Sequence, residues 1–262
     1  MDLITSTRNP GIKEILKLEK SRERKSRKSF LVEGFREINR AVQSGYEFHE
    51  ILYCPELKSF IYTDFVQTFP ARKKTPVASN VFSKIAYREN HDGLLAVAKM
   101  KDHSIEKLKA KEKSLYVVAE SVEKPGNLGA LLRTADAAGV DTVFICDNQT
   151  DIYNPNVVRS SLGCLFSTRV IQSSSENVLN FFRKNKINIY SAALQESKIY
   201  YEANFKDSCA IILGTESKGL SELWRKNAHQ VIRIPMAGIA DSLNVSVSAA
   251  ILIFEAVRQR NS

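Results

Sequence analysis

Three stretches of this chain combine small residues with amides, hydroxyls and isolated charges at spacings that can build a binding pocket. Residues 211–220 (IILGTESKGL) and 231–250 (VIRIPMAGIADSLNVSVSAA) each begin as a short β-branched run and end in a turn-forming cluster. That is the pattern of two buried strands whose C-terminal ends open into loops. In an open α/β sheet ligands settle at that edge. Here it carries Gly214, Glu216, Gly219, Met236, Gly238, Ser242 and Asn244. Small residues let the backbone approach a ligand closely, and amide and hydroxyl groups fix its orientation. Glu216 is the only carboxylate in its loop, and either caps a helix beginning near Lys218 or orients other pocket residues.

The second stretch, residues 123–136 (EKPGNLGALLRTAD), places Pro125, Gly126, Asn127 and Gly129 in a turn from which a helix starts. The free N–H groups and dipole of such a helix end attract anions. The glycine spacing is not that of a dinucleotide fingerprint, and no Gly-Lys-Ser/Thr follows to make a P-loop. Arg133 lies one helical turn beyond Gly129, and either faces the same pocket or pairs with Asp136 at the surface. In the third stretch, residues 154–163 (NPNVVRSSLG), Pro155 can open a short helix carrying Arg159, Ser160 and Ser161. Arg159 can hold a phosphate bidentately; the alternative is an ordinary capped helix.

The elements that must position these residues alternate along the chain. From residue 115 onward apolar runs are separated by helical segments, the signature of a mostly parallel α/β sheet. Strands are expected at 115–119, 142–146, 166–171, 188–193, 209–213 and 230–234. A final helix over about 245–260 is apolar on most of its circumference, which places it in the core or against another subunit. Residues 28–100 read as a small α/β unit, with strands at 30–32, 48–53, near Val77 and at 94–99, and helices over 34–43, 56–69 and 82–87. His91 and Asp92 precede Gly93 in a turn and take a loop role. The polar run 101–113 (KDHSIEKLKAKEK) is the expected linker. Residues 9–28 read as one helix, capped by Asn9 and opened by Pro10, with a strongly basic end. The expected division is therefore a basic N-terminal helix (1–27), a small α/β unit (28–100), a linker (101–113) and a larger domain (114–262).

The charge is divided unevenly. Of the net +9, residues 1–113 hold 23 Lys and Arg against 15 Asp and Glu, a net +8, while residues 114–262 hold 15 against 14, a net +1. A basic half beside a neutral half fits a chain in which one part grips a polyanion and the other does work not driven by charge. Lys25, Arg27 and Lys28 close a run with six basic residues and one acid over residues 20–28, which fits contacts to phosphates; the alternative is a solvated helix end. Hydrophobic residues make up 44% of the chain, enough for a core. There is no run of eighteen apolar residues and the first twenty residues are mixed with charge, so a membrane span and a signal peptide are not expected and the cytoplasm is the default location. Cys54, Cys146, Cys164 and Cys209 lack the paired spacing of a zinc site and read as buried, reduced thiols, with no metal expected.

Taken together, these stretches resemble the three motifs of the SpoU-type (TrmH-like) RNA ribose 2′-O-methyltransferases of the SPOUT superfamily. The matching residues are Asn127, Gly129 and Arg133 in the first motif, and Gly214, Glu216, Gly219 and Leu220 in the second. In the third they are Ile234, Pro235, Met236, Gly238, Ser242, Leu243, Asn244, Val245 and Ser246. The resemblance covers about residues 114–262 and takes in the VVRSSLG stretch. Residues from about 28 to 100 resemble, less specifically, the substrate-binding domain of many members, related in fold to an RNA-binding ribosomal protein. Lys124-Pro125 departs from the Asp or Asn with Pro of many members, while Asn127 and Arg133 keep their spacing.

The resemblance implies an α/β domain with a mostly parallel sheet and a deep trefoil knot near the C-terminus, an exception to the rule that chains are unknotted. It implies a homodimer packed through the knot region and S-adenosylmethionine bent into the knotted loops. Gly214, Ile234, Met236 and Leu243 would line the cofactor site, largely through backbone groups, and Asn127, Arg133, Glu216, Ser242 and Asn244 would form the catalytic set. The implied reaction is attack of a ribose 2′-hydroxyl on a sulfonium methyl, which needs alignment and removal of a proton, and no metal. Counterparts of Arg133 have been proposed as the general base, yet a guanidinium stays protonated. A charged Arg133 equally binds the adjacent phosphate and stabilises the developing alkoxide, with Ser242 or water relaying the proton. The implied partner is structured RNA, with 23S ribosomal RNA preferred over transfer RNA because a separate basic module suits a large folded target. The other reading is an RNA-binding or ribosome-assembly protein with this fold and no chemistry.

Overall fold

The computed structural model describes residues 2–57, 61–147, 150–195, 197–215 and 219–262. The chain divides into two compact units, one of residues 1–102 with 151–167, the other of residues 103–150 with 168–262.

The first unit begins with α1 (Pro10–Lys17) and α2 (Ser21–Arg27), followed by β1 (Ser29–Glu33), α3 (Phe35–Gln43) and β2 (Phe48–Tyr53). It continues with α4 (Thr63–Thr68), β3 (Lys73–Pro76), α5 (Ser79–Ile85) and β4 (Leu94–Lys99). The four strands pair in the order β1-β4-β2-β3, antiparallel at β1/β4 and β2/β4 and parallel at β2/β3. Alternation along β1 splits its side chains between two layers. Leu31 joins Ile12, Ile15, Leu18, Val81 and Phe82 in one buried cluster. Phe30 faces the other way and meets Tyr153 at 4.1 Å between ring centroids, with Tyr46 packed edge-on against Phe166 at 5.0 Å.

Tyr153 and Phe166 come from residues 151–167, a segment that lies between two strands of the other unit in sequence and folds with this one. It forms α7 (Pro155–Ser160) and α8 (Cys164–Ser167). Arg24, only 1% exposed, donates to Asp151 Oδ2 at 2.9 Å and to the carbonyls of Leu18 and Glu19. Arg40 Nη1 donates to the Leu162 carbonyl at 2.8 Å, and a Cβ on Gly163 (φ +86°) would lie 2.8 Å from Arg40 Cδ. Only glycine fits both that conformation and that gap.

Asn9 caps α1 as expected, its side chain accepting from Gly11 N–H at 2.8 Å with Pro10 in the first turn. The single helix expected over residues 9–28 is instead two, broken after Lys17, because Leu18 turns inward to the core and Arg24 turns inward to Asp151. The expected helix over 56–69 is confined, among the described residues, to α4.

The second unit carries β5 (Leu115–Glu120), α6 (Pro125–Ala137), β6 (Thr142–Cys146), β7 (Val170–Ser173), α9 (Ser175–Lys184) and β8 (Asn188–Ala192). After them come β9 (Lys198–Ile199), β10 (Cys209–Leu213), α10 (Glu222–Lys226), β11 (Gln230–Arg233) and α11 (Val245–Arg260). Seven parallel strands run in the order β7-β6-β5-β10-β8-β11-β9, so the α/β class expected from the sequence is the observed one. The strand expected at 166–171 starts only at Val170, because Phe166 and Ser167 complete α8. One face of the sheet is filled by Tyr116, Phe144, Phe182 and Trp224 with their apolar neighbours.

The terminal helix packs on α6 and β10 through Val245, Ala249, Leu252, Ile253 and Ala256. Its end is tied down by polar groups: Gln259 accepts from Phe205 N–H at 2.9 Å, and Arg260 donates to the carbonyls of Phe205, Lys113, Ser114 and Asp207. Its opposite side leaves Val247 and Phe254 each 47% exposed. Among the described residues no helix is long and apolar enough to cross a membrane.

Candidate active site

The strands β8, β10 and β11 are neighbours, and their C-terminal ends release three loops at one edge of the sheet. Gly214 leaves β10 against the returning arm of its own loop. A Cβ there would sit 2.3 Å from the Gly219 carbonyl oxygen and 2.6 Å from Leu220 N, so any side chain would push the two arms apart. The loop is pinned twice more, by Gly219 N–H donating to the Thr215 carbonyl at 2.9 Å and by Ser221 N–H donating to Glu120 Oε2 at 2.8 Å. Glu120, at the end of β5 and 6% exposed, was not singled out from the sequence. An acid closing an otherwise apolar run was the available signal.

Between these loops lies a cavity of about 510 Å³. Gly214, Ile234, Met236 and Leu243, the four residues expected to hold a cofactor, all line it, together with Ser242. Leu213, Leu220, Ile232 and Leu252 supply apolar surface, and Arg225, Arg233 and Asp241, which the sequence reading passed over, add charge. Residues 235–242 lie outside helix and strand, so their amides are not committed to regular structure. Volume, apolar walls and loop backbone match the usual anatomy of a small-molecule site. A nucleoside-bearing cofactor with an amino-acid tail fits this lining: its flat base suits the apolar walls and its polar groups suit the loop amides.

Asn244 follows directly on the cavity wall. It caps α11, its Oδ1 accepting from Ser246 N–H at 3.0 Å and from Ser246 Oγ at 2.7 Å, while its Nδ2 donates to Asn127 Oδ1 at 3.2 Å. The first and third sequence motifs therefore meet through a side-chain bond. Pro125 opens α6, and Asn127 stands in its first turn. Ser242 is exposed and its Oγ donates to Asp241 Oδ1 at 3.3 Å.

Arg133 is exposed on α6 and its side chain makes no hydrogen bond or ion pair among the described residues, so the surface pair with Asp136 is not formed. Among the described residues its guanidinium is uncommitted, and nothing holds it to Asn127, Ser242 or Asn244. Glu216, the remaining member of the expected catalytic set, lies outside the described residues. Among the described residues no group of three or more His, Cys, Asp or Glu is placed to hold a metal ion.

The expected RNA contacts lie in the first unit. Lys25 and Lys28 are exposed at the end of α2. Arg27 is bound to Glu14 at 2.6 Å and Glu23 at 3.2 Å, which lowers its availability to a phosphate. Arg159 is exposed on α7, its guanidinium carbon 5.6 Å from the centre of the Tyr87 ring.

Comparison with known proteins bears on both units. The SpoU rRNA Methylase family model matches residues 114–254, and the MRM3-like substrate binding domain model matches residues 9–96. The chain is 30% identical to the Bacillus subtilis 23S rRNA (guanosine(2553)-2′-O)-methyltransferase RlmP, over 97% of this chain and 98% of that one. A crystal structure of an RNA 2′-O ribose methyltransferase superposes with a TM-score of 0.89 at 40% identity, covering 100% of both chains. The SpoU methyltransferase AviRb of Streptomyces viridochromogenes, solved with its cofactor S-adenosylmethionine, gives a TM-score of 0.89 at 27% identity over 97% of this chain and 99% of that one. The chain therefore belongs to the SpoU rRNA methylase family and carries, ahead of its methylase domain, an MRM3-like substrate binding domain.

Proposed function

We propose that this protein is an S-adenosylmethionine-dependent methyltransferase acting on a ribose 2′-hydroxyl of structured RNA, with 23S ribosomal RNA as the substrate. The observation that carries the reading is the single cavity lined by Gly214, Ile234, Met236 and Leu243, flanked by the Asn127–Asn244 bond. Bound there, the cofactor supplies an electrophilic methyl group on a sulfonium. Gly214 lets the two arms of its loop close along one wall, and the apolar side chains give the cofactor a surface to pack against.

The remaining tasks fall to polar groups at the rim. The Asn127–Asn244 bond holds the start of α6 beside the start of α11, which sets where a ribose can enter. Arg133 brings a guanidinium, so its part is to hold the neighbouring phosphate and stabilise charge growing on the 2′-oxygen. Ser242 Oγ already donates to Asp241 Oδ1, which gives a proton leaving the ribose a carboxylate one hydroxyl away. Glu216 belongs to the same set on family grounds.

The first unit, with Lys25, Lys28 and Arg159 exposed, is the part that grips RNA, and Arg27 joins them when RNA competes for it. Ribosomal RNA is preferred over transfer RNA because a relative matched along nearly its whole length acts on 23S RNA. A homodimer through α11 belongs to this reading, supported by the apolar residues Val247 and Phe254 left on its outer side. So does a trefoil knot, supported by family membership. The expected site of action is the cytoplasm.

The test is a calorimetric titration with S-adenosylmethionine, coupled to methyl transfer onto unmodified ribosomal RNA, for the parent and Arg133→Ala. Both proteins bind the cofactor alike and only the parent transfers. A parent that binds no cofactor supports the non-catalytic RNA-binding reading instead.

A further inference from the structure

Tyr87 is a large aromatic side chain left 50% exposed just after α5, where no core requires it. Its backbone is nonetheless held firmly. Tyr87 N–H donates to Glu33 Oε2 at 2.7 Å and Arg88 N–H to Glu33 Oε1 at 3.2 Å, which fixes the turn to the end of β1. Arg88 Nη2 donates to Glu37 Oε1 at 2.6 Å, and Glu37 is 1% exposed, so the turn is also anchored to the first part of α3. Burial pushes the Glu33 carboxyl above the usual range, against the pull of those two N–H bonds.

Over one face of this ring lies Arg159, its guanidinium carbon 5.6 Å from the ring centre, within range of a cation–π contact, so a base would stack on the opposite face. The two side chains border one cleft with Glu19, Glu33, Arg88, Pro155 and Val158, in which Glu33 is engaged by the Tyr87 and Arg88 N–H groups. Arg159 makes no ion pair among the described residues, so the contact with Tyr87 leaves its charge available. A rigidly mounted, half-exposed ring with a planar cation next to it is the arrangement that receives an unpaired base: the ring offers a π-face and the cation meets the adjoining phosphate. The charge agrees, since residues 1–113 carry a net +8.

We propose that Tyr87 and Arg159 form a stacking site for one unpaired nucleobase of the RNA substrate. The proposal rests on the reading that the substrate is RNA, and it goes beyond that reading by naming an aromatic contact where charge alone was expected. It also predicts that the target presents a loop or bulge to the first unit, since a paired base has no free face.

The test is titration of protein-free 23S ribosomal RNA over a range of salt concentrations, with the parent, Tyr87→Ala, Tyr87→Phe and Arg159→Ala, and S-adenosylmethionine binding as the check on folding. Tyr87→Ala weakens RNA binding about ten-fold with the salt slope unchanged, and Tyr87→Phe stays within about two-fold, because stacking needs a ring and not a hydroxyl. Arg159→Ala weakens binding and makes the slope shallower by about 0.7–0.9, the share of one phosphate contact. Cofactor affinity is the same in all four. Tyr87→Ala binding as tightly as the parent overturns the proposal, and so does an equal loss in Tyr87→Phe. Failure of the parent itself to bind this RNA removes the substrate reading on which the site depends, and is told apart because no variant is involved.

Discussion

Asn244 donates to Asn127 across 3.2 Å with one end of its amide and caps α11 with the other, so a single side chain joins segments 117 residues apart. The two duties separate by substitution. Asn244→Ala loses both, and chemical denaturation shows a loss of about 1–2 kcal/mol from the cap alone. Asn244→Asp keeps a good cap and cannot donate to Asn127 Oδ1. It unfolds near the parental midpoint and transfers methyl groups at least about ten-fold more slowly. Full activity in Asn244→Asp removes the bond from the account.

Gly214→Ala asks whether the cavity depends on the two arms of its loop touching. The added Cβ meets backbone atoms of Gly219 and Leu220 at 2.3–2.6 Å, and backbone cannot swing aside as a side chain can. Calorimetry on this variant shows cofactor affinity reduced by at least about ten-fold, with far-ultraviolet circular dichroism unchanged. Parental affinity means that the loop opens without cost and does not shape the site.

Ser242 and Asp241 are read as one proton path, and groups that act in one path lose activity together. Ser242→Ala and Asp241→Asn each lower kcat about a hundred-fold in single-turnover methyl transfer, in keeping with general-base contributions. The double variant is no slower than either single one. Multiplying losses show that the two act separately.

Three buried groups of the second unit weaken it in alkali. Burial pushes the Cys209 thiol from 9.0 to about 11, against the pull of Arg260, pushes the Cys146 thiol from 9.0 higher still, and pushes the Tyr190 hydroxyl from 10.0 to about 12. The unfolded chain releases these protons first, so the stability they confer is complete below about pH 9 and falls as pH rises through about 11 and 12. Urea midpoints recorded between pH 8 and 11 decline from about pH 9. In the Cys146→Ser, Cys209→Ser double variant, where only Tyr190 remains, the onset of that decline moves toward pH 10. An unchanged onset assigns the loss to other groups.

Much of the methylase domain was legible because its strands are short apolar runs closed by turn residues, as at 209–213 and 142–146. The cavity residues were legible through glycine and amide spacing joined to the family motifs. Residues 166–171 were misread because a buried helix end and a buried strand share one apolar pattern, and periodicity does not separate them over so few residues. The break between α1 and α2 carries no proline or glycine; it follows from Arg24 reaching Asp151, a contact 127 residues away. For the same reason nothing in composition marks residues 151–167 as folding with the first unit. Glu120 and the Asn127–Asn244 bond are tertiary facts with no local signature.

The central claim is methyl transfer to a ribose oxygen. Its most direct measurement uses S-adenosylmethionine labelled in the methyl group, unmodified 23S ribosomal RNA and the purified protein, followed by alkaline hydrolysis. A methylated 2′-oxygen cannot attack the neighbouring phosphate, so the account predicts label in an alkali-resistant dinucleotide, absent with Arg133→Ala. Label recovered in single nucleotides places the methyl group on a base and contradicts the account.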